Sequence, residues 1–264
     1  MSMSTLSRFA AAGLACAVTA GCAAPQHPDP RDPWEGFNRG VYAFNDTVDR
    51  FLIKPVAVAY DTVLPDPVQS CVHNMFSNLG DVWAGVNSML QGRGVDAINT
   101  WGRFLLNSTM GLGGCIDIGS QTGANKIPND LGTTLGVWGL GQGPYLVLPI
   151  LGPSSVRDGV GTAGDFFGNP LSLSNTVDNV GLRNSLYGLE LIDTRADLLP
   201  VTETVQRTAL DPYSFVRDAY LQRRAAMVRG EKVDADALPN YNDEEDKAAP
   251  PAQPEAAKPA APAK

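Results

Sequence analysis

Cys22 is the residue of this chain most open to covalent chemistry. It closes the run Val18-Thr19-Ala20-Gly21-Cys22, where a thiol follows two small residues between an apolar stretch and a Pro-rich one. Bacterial lipoprotein signals have this form: a signal peptidase cuts before the cysteine, and the new N-terminal cysteine is acylated. Met1 to Arg8 then reads as the n-region, with one cation, and Phe9 to Ala20 as the h-region. That apolar run is too short to span a bilayer as a helix, which needs about 20 residues, so it reads as a signal and not an anchor. Thr19 stands where such signals usually carry Leu, and the competing reading is an ordinary secretory signal with a chance cysteine. Ala23 follows the anchor instead of Asp, which favours delivery to an outer membrane. One acyl chain would hold only reversibly, at about 0.8 kcal/mol per buried methylene, whereas the three chains of lipoproteins with this pattern make release negligible.

Elsewhere reactive side chains are sparse. The two histidines are His27, in the tether, and His73, on an expected helix. Gly119-Ser120-Gln121-Thr122-Gly123 carries its serine one place too early for a nucleophile elbow. The run from Gly139 through Gly141 to Gly143 lacks the last glycine of a dinucleotide fingerprint and follows no convincing strand. No pair of histidines or cysteines stands at metal-ligand spacing, so neither metal nor cofactor is expected. Asp193 and Asp197 read as solvated helix faces or caps. A hydrolase built on His73 has no supporting motif, and the chain reads as a non-enzyme. Cys71 and Cys115 can form a disulfide in an oxidising compartment or remain two buried thiols.

The charge balance narrows the partners. Twenty Lys and Arg stand against 28 Asp and Glu, a net charge of −8, and loss of the signal removes one further cation, Arg8. An acidic chain suits neither nucleic acid, whose binding rests on cationic contacts to phosphate, nor bulk attraction to anionic headgroups. Contact with lipid must therefore run through apolar surface or a local site. Residues 22–31 read as a lipid-anchored tether, 32–230 as one domain, and 231–264 as a disordered acidic and Pro/Ala/Lys tail.

The domain reads as mainly α. Asp32-Pro33, Asp66-Pro67 and Asp211-Pro212 each place a capping acceptor before a proline suited to a first helical turn. Glu35 would complete a capping box with Asp32. Phe37, Val41, Phe44, Val48 and Phe51 form one apolar helical stripe, and Val68, Cys71, Val72, Met75, Phe76 and Leu79 a second. Further helices are expected around 82–91, 95–109, 155–167, 178–192 and 201–209, with a last amphipathic one carrying Val216, Tyr220 and Leu221 beside Arg217, Arg223 and Arg224. Tyr145 to Ile150 is the one strand signal, broken by Pro149. Leu131 to Val156 is uncharged and long enough to span a bilayer, yet its glycines and prolines would free backbone groups that lipid cannot satisfy. Between Arg103 and Arg157 the charges are Asp117, Lys126 and Asp130. Two readings stay open for this region: helices lying in lipid around a protected polar cavity, or a glycine-rich globular core.

Asp32-Pro-Trp-Glu-Gly-Phe-Asn-Arg39, Tyr42-Ala-Phe-Asn45 and Lys54-Pro-Val-Ala57 resemble the opening of the MlaA (VacJ-type) outer-membrane lipoproteins. The likeness continues through Asn87-Ser-Met-Leu-Gln-Gly92, Arg103-Phe-Leu-Leu-Asn107, Leu131-Gly-Thr-Thr-Leu-Gly136, Gly143-Pro-Tyr-Leu-Val-Leu-Pro149, Gly152-Pro-Ser-Ser-Val-Arg-Asp158, Asp193-Thr-Arg-Ala-Asp-Leu-Leu199 and Asp211-Pro-Tyr213. The resemblance implies a single ring-like helical domain in the inner leaflet of the outer membrane, with a central amphipathic channel. It implies removal of misplaced phospholipid from the outer leaflet, association with a trimeric porin, hand-over to a soluble periplasmic carrier, and no catalysis or cofactor. The alternative is a structural or porin-associated envelope lipoprotein without a lipid path. On the family pattern Phe44 and Asn45 help keep the channel closed, although Phe44 also reads as a plain core position. Gly123, Asn125 and Pro128 suit a mobile loop beside the channel. Gly139, Gly141 and Gly143 either let lipid approach the backbone or serve tight helix packing.

Overall fold

Pro55 interrupts the first helical stretch of the chain. Proline has no N–H and crowds the carbonyl four residues before it, so an α-helix cannot run through it unaltered. In the computed structural model, which describes residues 29–169 and 171–231, a π-helical turn at Asp49–Ile53 lies just ahead of that proline. It joins helix α1 (Glu35–Val48) to α2 (Lys54–Val63). Extra turns of this kind inside a helix are frequent at functional sites. Residues 1–28, which include Cys22 and most of the tether, and the tail from 232 lie outside the described residues.

The chain continues through α3 (Asp66–Leu90), α4 (Gly94–Thr109), a short α5 (Ile118–Gln121) and α6 (Leu131–Val137). A two-stranded antiparallel hairpin follows, β1 (Tyr145–Leu148) with β2 (Gly152–Ser155), Tyr145 opposite Ser155 and Leu148 opposite Gly152. Then come α7 (Val156–Gly168), α8 (Leu173–Thr176), α9 (Val180–Asp197), α10 (Leu199–Thr208) and α11 (Pro212–Arg229). The fold is mainly helical, as the sequence predicts. Among the described residues no helix is long and apolar enough to cross a membrane.

Two of the three expected Asp-Pro caps are not formed. Helix α1 starts after Trp34 with no side-chain cap, because Asp32 is drawn into the interior, where it accepts from Tyr213 and from Asn38 Nδ2 at 2.8 Å. Glu35 pairs with Arg39 at 2.7 Å instead of closing a capping box. Asp66 lies inside α3, whose cap position is Pro65. Asp211 does cap α11, accepting from the Tyr213 amide at 3.2 Å. Side chains of Asp117, Asp130, Ser155 and Asn179 cap α5, α6, α7 and α9. The expected segments 67–79 and 82–91 are one continuous helix, since Gly80 lowers propensity without preventing helical φ and ψ.

Glycine allows the closest helix crossing. A Cβ on Gly161 of α7 would lie 2.5 Å from the Gly132 Cα of α6, so any side chain there must push the two helices apart. Gly85 of α3 gives the same room to the Trp101 indole of α4, with a notional Cβ 2.2 Å from Nε1.

Candidate functional site

The interior is polar and the outside apolar, the reverse of an ordinary soluble domain. The α3 face turned inward carries Asn78, Asp81, Ala84, Gly85, Asn87 and Ser88, and that of α4 Ala97, Thr100, Arg103 and Asn107. The outward faces of the same helices expose Met75, Met89, Leu90, Val95, Ile98 and Leu105. On α1 and the π-helical turn after it, the aromatic members of the expected stripe point outward: Phe37, Phe44 and Phe51 are 58%, 52% and 72% exposed. The core position left open for Phe44 therefore does not describe it. Exposed apolar surface on this scale marks contact with a membrane or a partner.

Buried charges are expensive unless paired, and here they are paired. Arg224 of α11 bridges Asp158 of α7 at 2.9 Å and Asp130, the α6 cap. Burial alone would raise both carboxyls, but the hydrogen bonds and charge of Arg224 outweigh it and hold them below the usual carboxylate range. Tyr220 donates to Asp158 at 2.7 Å. Arg103 bonds Asp117 at 2.9 Å, and Lys126 reaches Asp81 and the Ser77 carbonyl, the latter at 2.7 Å. All three charges of the charge-poor middle, Asp117, Lys126 and Asp130, thus turn inward onto partners. For Asp81, burial exceeds the pull of Lys126 and Arg103, and its pKa lies above normal.

Asn45 sits at the end of α1 against the hairpin turn. Its Nδ2 donates to the Leu148 carbonyl at 2.9 Å, and its Oδ1 accepts from the Ile150 amide at 2.8 Å. Ile150 holds φ at 67°, rare for a β-branched residue. Asn38, one heptad earlier and fully buried, treats Tyr145 and Val147 in the same way, at 3.0 and 2.9 Å. Around them Tyr145, Val147, Tyr213 and Leu221 form the small apolar core.

A cavity of about 220 Å³ opens between the start of α4, the 125–129 loop and the end of α11, lined by Arg93, Asp96, Asn125, Lys126, Pro128 and Met227 among others. Of the expected channel residues, Asn125 and Pro128 line it. Gly123 lies nearby in the chain at φ 85° with open space around it. Gly139 and Gly141 have no neighbour within 4 Å of a notional Cβ, and Gly143 meets Val156 at 3.4 Å, so none of them is a helix-packing glycine. That part is played by Gly132 and Gly161. Cys71 and Cys115 are joined as a disulfide that ties α3 to the turn after α4.

His73 and the two carboxylates read as solvated meet on the structure. His73 Nδ1 lies 2.6 Å from Asp197 and 3.3 Å from Asp193, and Tyr60 donates to the other oxygen of Asp193 at 2.8 Å. Asp197 is solvated as expected, whereas Asp193 is buried. Local spacing could not reveal this group, because α3 and α9 are 120 residues apart here.

Comparison with known proteins places this architecture. Residues 30–227 match the family described as MlaA lipoprotein. The chain belongs to the MlaA lipoprotein family. It is 35% identical over 239 residues to the intermembrane phospholipid transport system lipoprotein MlaA of Escherichia coli (strain K12), covering 88% of this chain and 93% of the relative. It is 30% identical to the protein of that name in Haemophilus influenzae, over 83% of this chain and 90% of the relative. A chain solved to explain the structural basis for maintenance of bacterial outer membrane lipid asymmetry is 36% identical with a TM-score of 0.64, covering 75% of this chain and 98% of the solved one. As a member of this family the chain is related to lipoproteins named for an intermembrane phospholipid transport system.

Proposed function

We propose that this MlaA lipoprotein sits in the periplasmic leaflet of the outer membrane, anchored through acylated Cys22. There it withdraws mislocalised phospholipid from the outer leaflet through an amphipathic channel. The carrying observation is the inversion of polarity: aromatic and aliphatic side chains outside, paired charges and amides inside. A phospholipid cannot easily change leaflet alone, because its charged headgroup must cross hydrocarbon at high cost. A helical disc that is apolar outward and polar inward lowers that cost by giving the head a wet path while the tails stay in oil.

On this reading the exposed phenylalanines of α1 rest in acyl chains. The hairpin held by Asn38 and Asn45, with Gly139, Gly141 and Gly143 before it, forms one wall of the path, and the loop from Gly123 to Pro128 another. The protein performs no catalysis and takes no energy input of its own. Direction comes from partners, a trimeric porin beside it and a soluble periplasmic carrier that accepts the lipid. Deleting the gene should raise outer-leaflet phospholipid, read by an outer-leaflet-specific acyltransferase or phospholipase on whole cells. Unchanged asymmetry in the deletion would leave only a scaffold beside the porin.

A further inference from the structure

The group formed by His73, Asp193 and Asp197 has the donor set and layout of a metal site. One nitrogen and two carboxylate oxygens, all within 4.8 Å of one another, come from two helices. We propose that these three side chains bind one divalent transition-metal ion, of which Zn²⁺ fits best, as a brace between α3 and α9.

One donor separation already matches such a site. In a tetrahedral zinc site the metal lies about 2.0–2.2 Å from each nitrogen or oxygen, so neighbouring donor atoms stand about 3.3 Å apart. His73 Nδ1 and Asp193 Oδ2 already stand at 3.3 Å. Asp197 Oδ2, at 2.6 Å, has only to back away to open the centre, and its side chain is 51% exposed. A water would take the fourth position from the solvent side.

The carboxylate that must not move is held from behind. Tyr60 of α2 donates to Asp193 Oδ1, which leaves Oδ2 turned toward His73. A hydrogen bond on the far oxygen is the usual support for a ligating carboxylate. Charge points the same way. Glu190, Asp193 and Asp197 fall on one face of α9, and burial and then Asp193 raise the Glu190 carboxyl. Two carboxylates supply the charge that balances one divalent cation. Imidazole with carboxylates selects zinc-like ions over calcium or magnesium, which prefer oxygen alone.

The test uses the full-length protein purified in detergent, stripped with chelator, and dialysed against Zn²⁺ or Co²⁺. One metal per chain is expected by elemental analysis, with the visible absorption of tetrahedral Co²⁺ in the cobalt form. His73→Gln and Asp197→Asn should each abolish the stoichiometric metal, and Tyr60→Phe should weaken it about tenfold or more. His27→Gln should leave it intact. Retention of near-ultraviolet circular dichroism by Asp197→Asn, whose side chain is half exposed, shows that loss of metal is not loss of fold. Failure of the wild type to retain metal after dialysis overturns the proposal, as does metal that persists in the His73→Gln/Asp197→Asn double variant.

Discussion

Asn38 and Asn45 lie seven residues apart on one face of α1, and each closes a two-bond ring on the β-hairpin backbone. An amide side chain can donate and accept at once, so a helix carrying two of them serves as a third edge to a two-stranded sheet. Two strands alone are marginal in water, and this edge stabilises the hairpin. Asn45→Ala should cost about 1–3 kcal/mol, the penalty of stranding a partly buried amide and carbonyl. Faster hydrogen exchange at the Ile150 amide would localise the loss. Asn45→Asp keeps the acceptor for Ile150 but loses the donor to Leu148, so Ile150 should stay more protected than in the alanine variant.

This clamp also marks the limit of what the sequence reveals. Phe37, Phe44 and Phe51 announce a helix by their spacing, but the periodicity that finds an apolar face does not say whether that face meets a core or a bilayer. The capping acids show the same limit. Asp211 is held by Arg39 and Ser214 at the start of the helix itself, so its cap forms alongside those bonds. Asp32 has Tyr213, 181 residues away, and leaves the cap for the interior. The family resemblance carried the ordered motifs, whereas the meeting of His73 with Asp193 depends on how α3 and α9 pack.

Arg224 is the residue whose removal should harm the fold most. It neutralises Asp130 and Asp158 together, and both are tied to helix starts. Arg224→Met should destabilise by about 3–5 kcal/mol, because it leaves the partly exposed Asp130 without its counter-charge and the buried Asp158 with Arg157 alone. Arg224→Lys should rescue little, since one ammonium cannot reproduce a fork that reaches two carboxylates. Chemical denaturation in detergent measures both.

The Cys71–Cys115 bond closes a loop with a sequence separation of 44 and pins a turn in which Leu112, Gly113 and Gly114 all have positive φ. Cys71→Ser should cost about 2–4 kcal/mol, chiefly by freeing the unfolded chain. Wild-type protein should show a mass lower by two hydrogens before reduction, and the variant none.

Acid should loosen the start of α11. The hydrogen bond from Arg39, set against burial, lowers Asp211 from 3.8 to about 2. A carboxyl depressed in the folded state binds its proton more readily when unfolded. Its contribution is therefore complete above about pH 4 and disappears as pH falls toward 2. Asp29, lowered to about 2 chiefly by hydrogen bonding to Arg31, adds to the same slope. Asp211→Asn should lower stability at neutral pH and flatten the loss between pH 4 and 2, read from unfolding midpoints across that range.

The apolar coat makes the sharpest demand on the proposed placement. Phe51 and Leu52 are 72% and 66% exposed, and Ile98 is 72% exposed, so replacing them disturbs little packing inside the protein. In water such replacements should be neutral or favourable. In a bilayer each buried side chain of this size contributes about 1.5–3 kcal/mol of transfer energy. Changing Phe51, Leu52 and Ile98 together to Ser should therefore leave the folded protein and its disulfide intact in detergent. The same change should lower its partition into vesicles many-fold when the lipid anchor is replaced by Cys22→Ser. Equal partition of the two proteins would mean that these side chains meet another protein, and the polar interior would then need a different purpose.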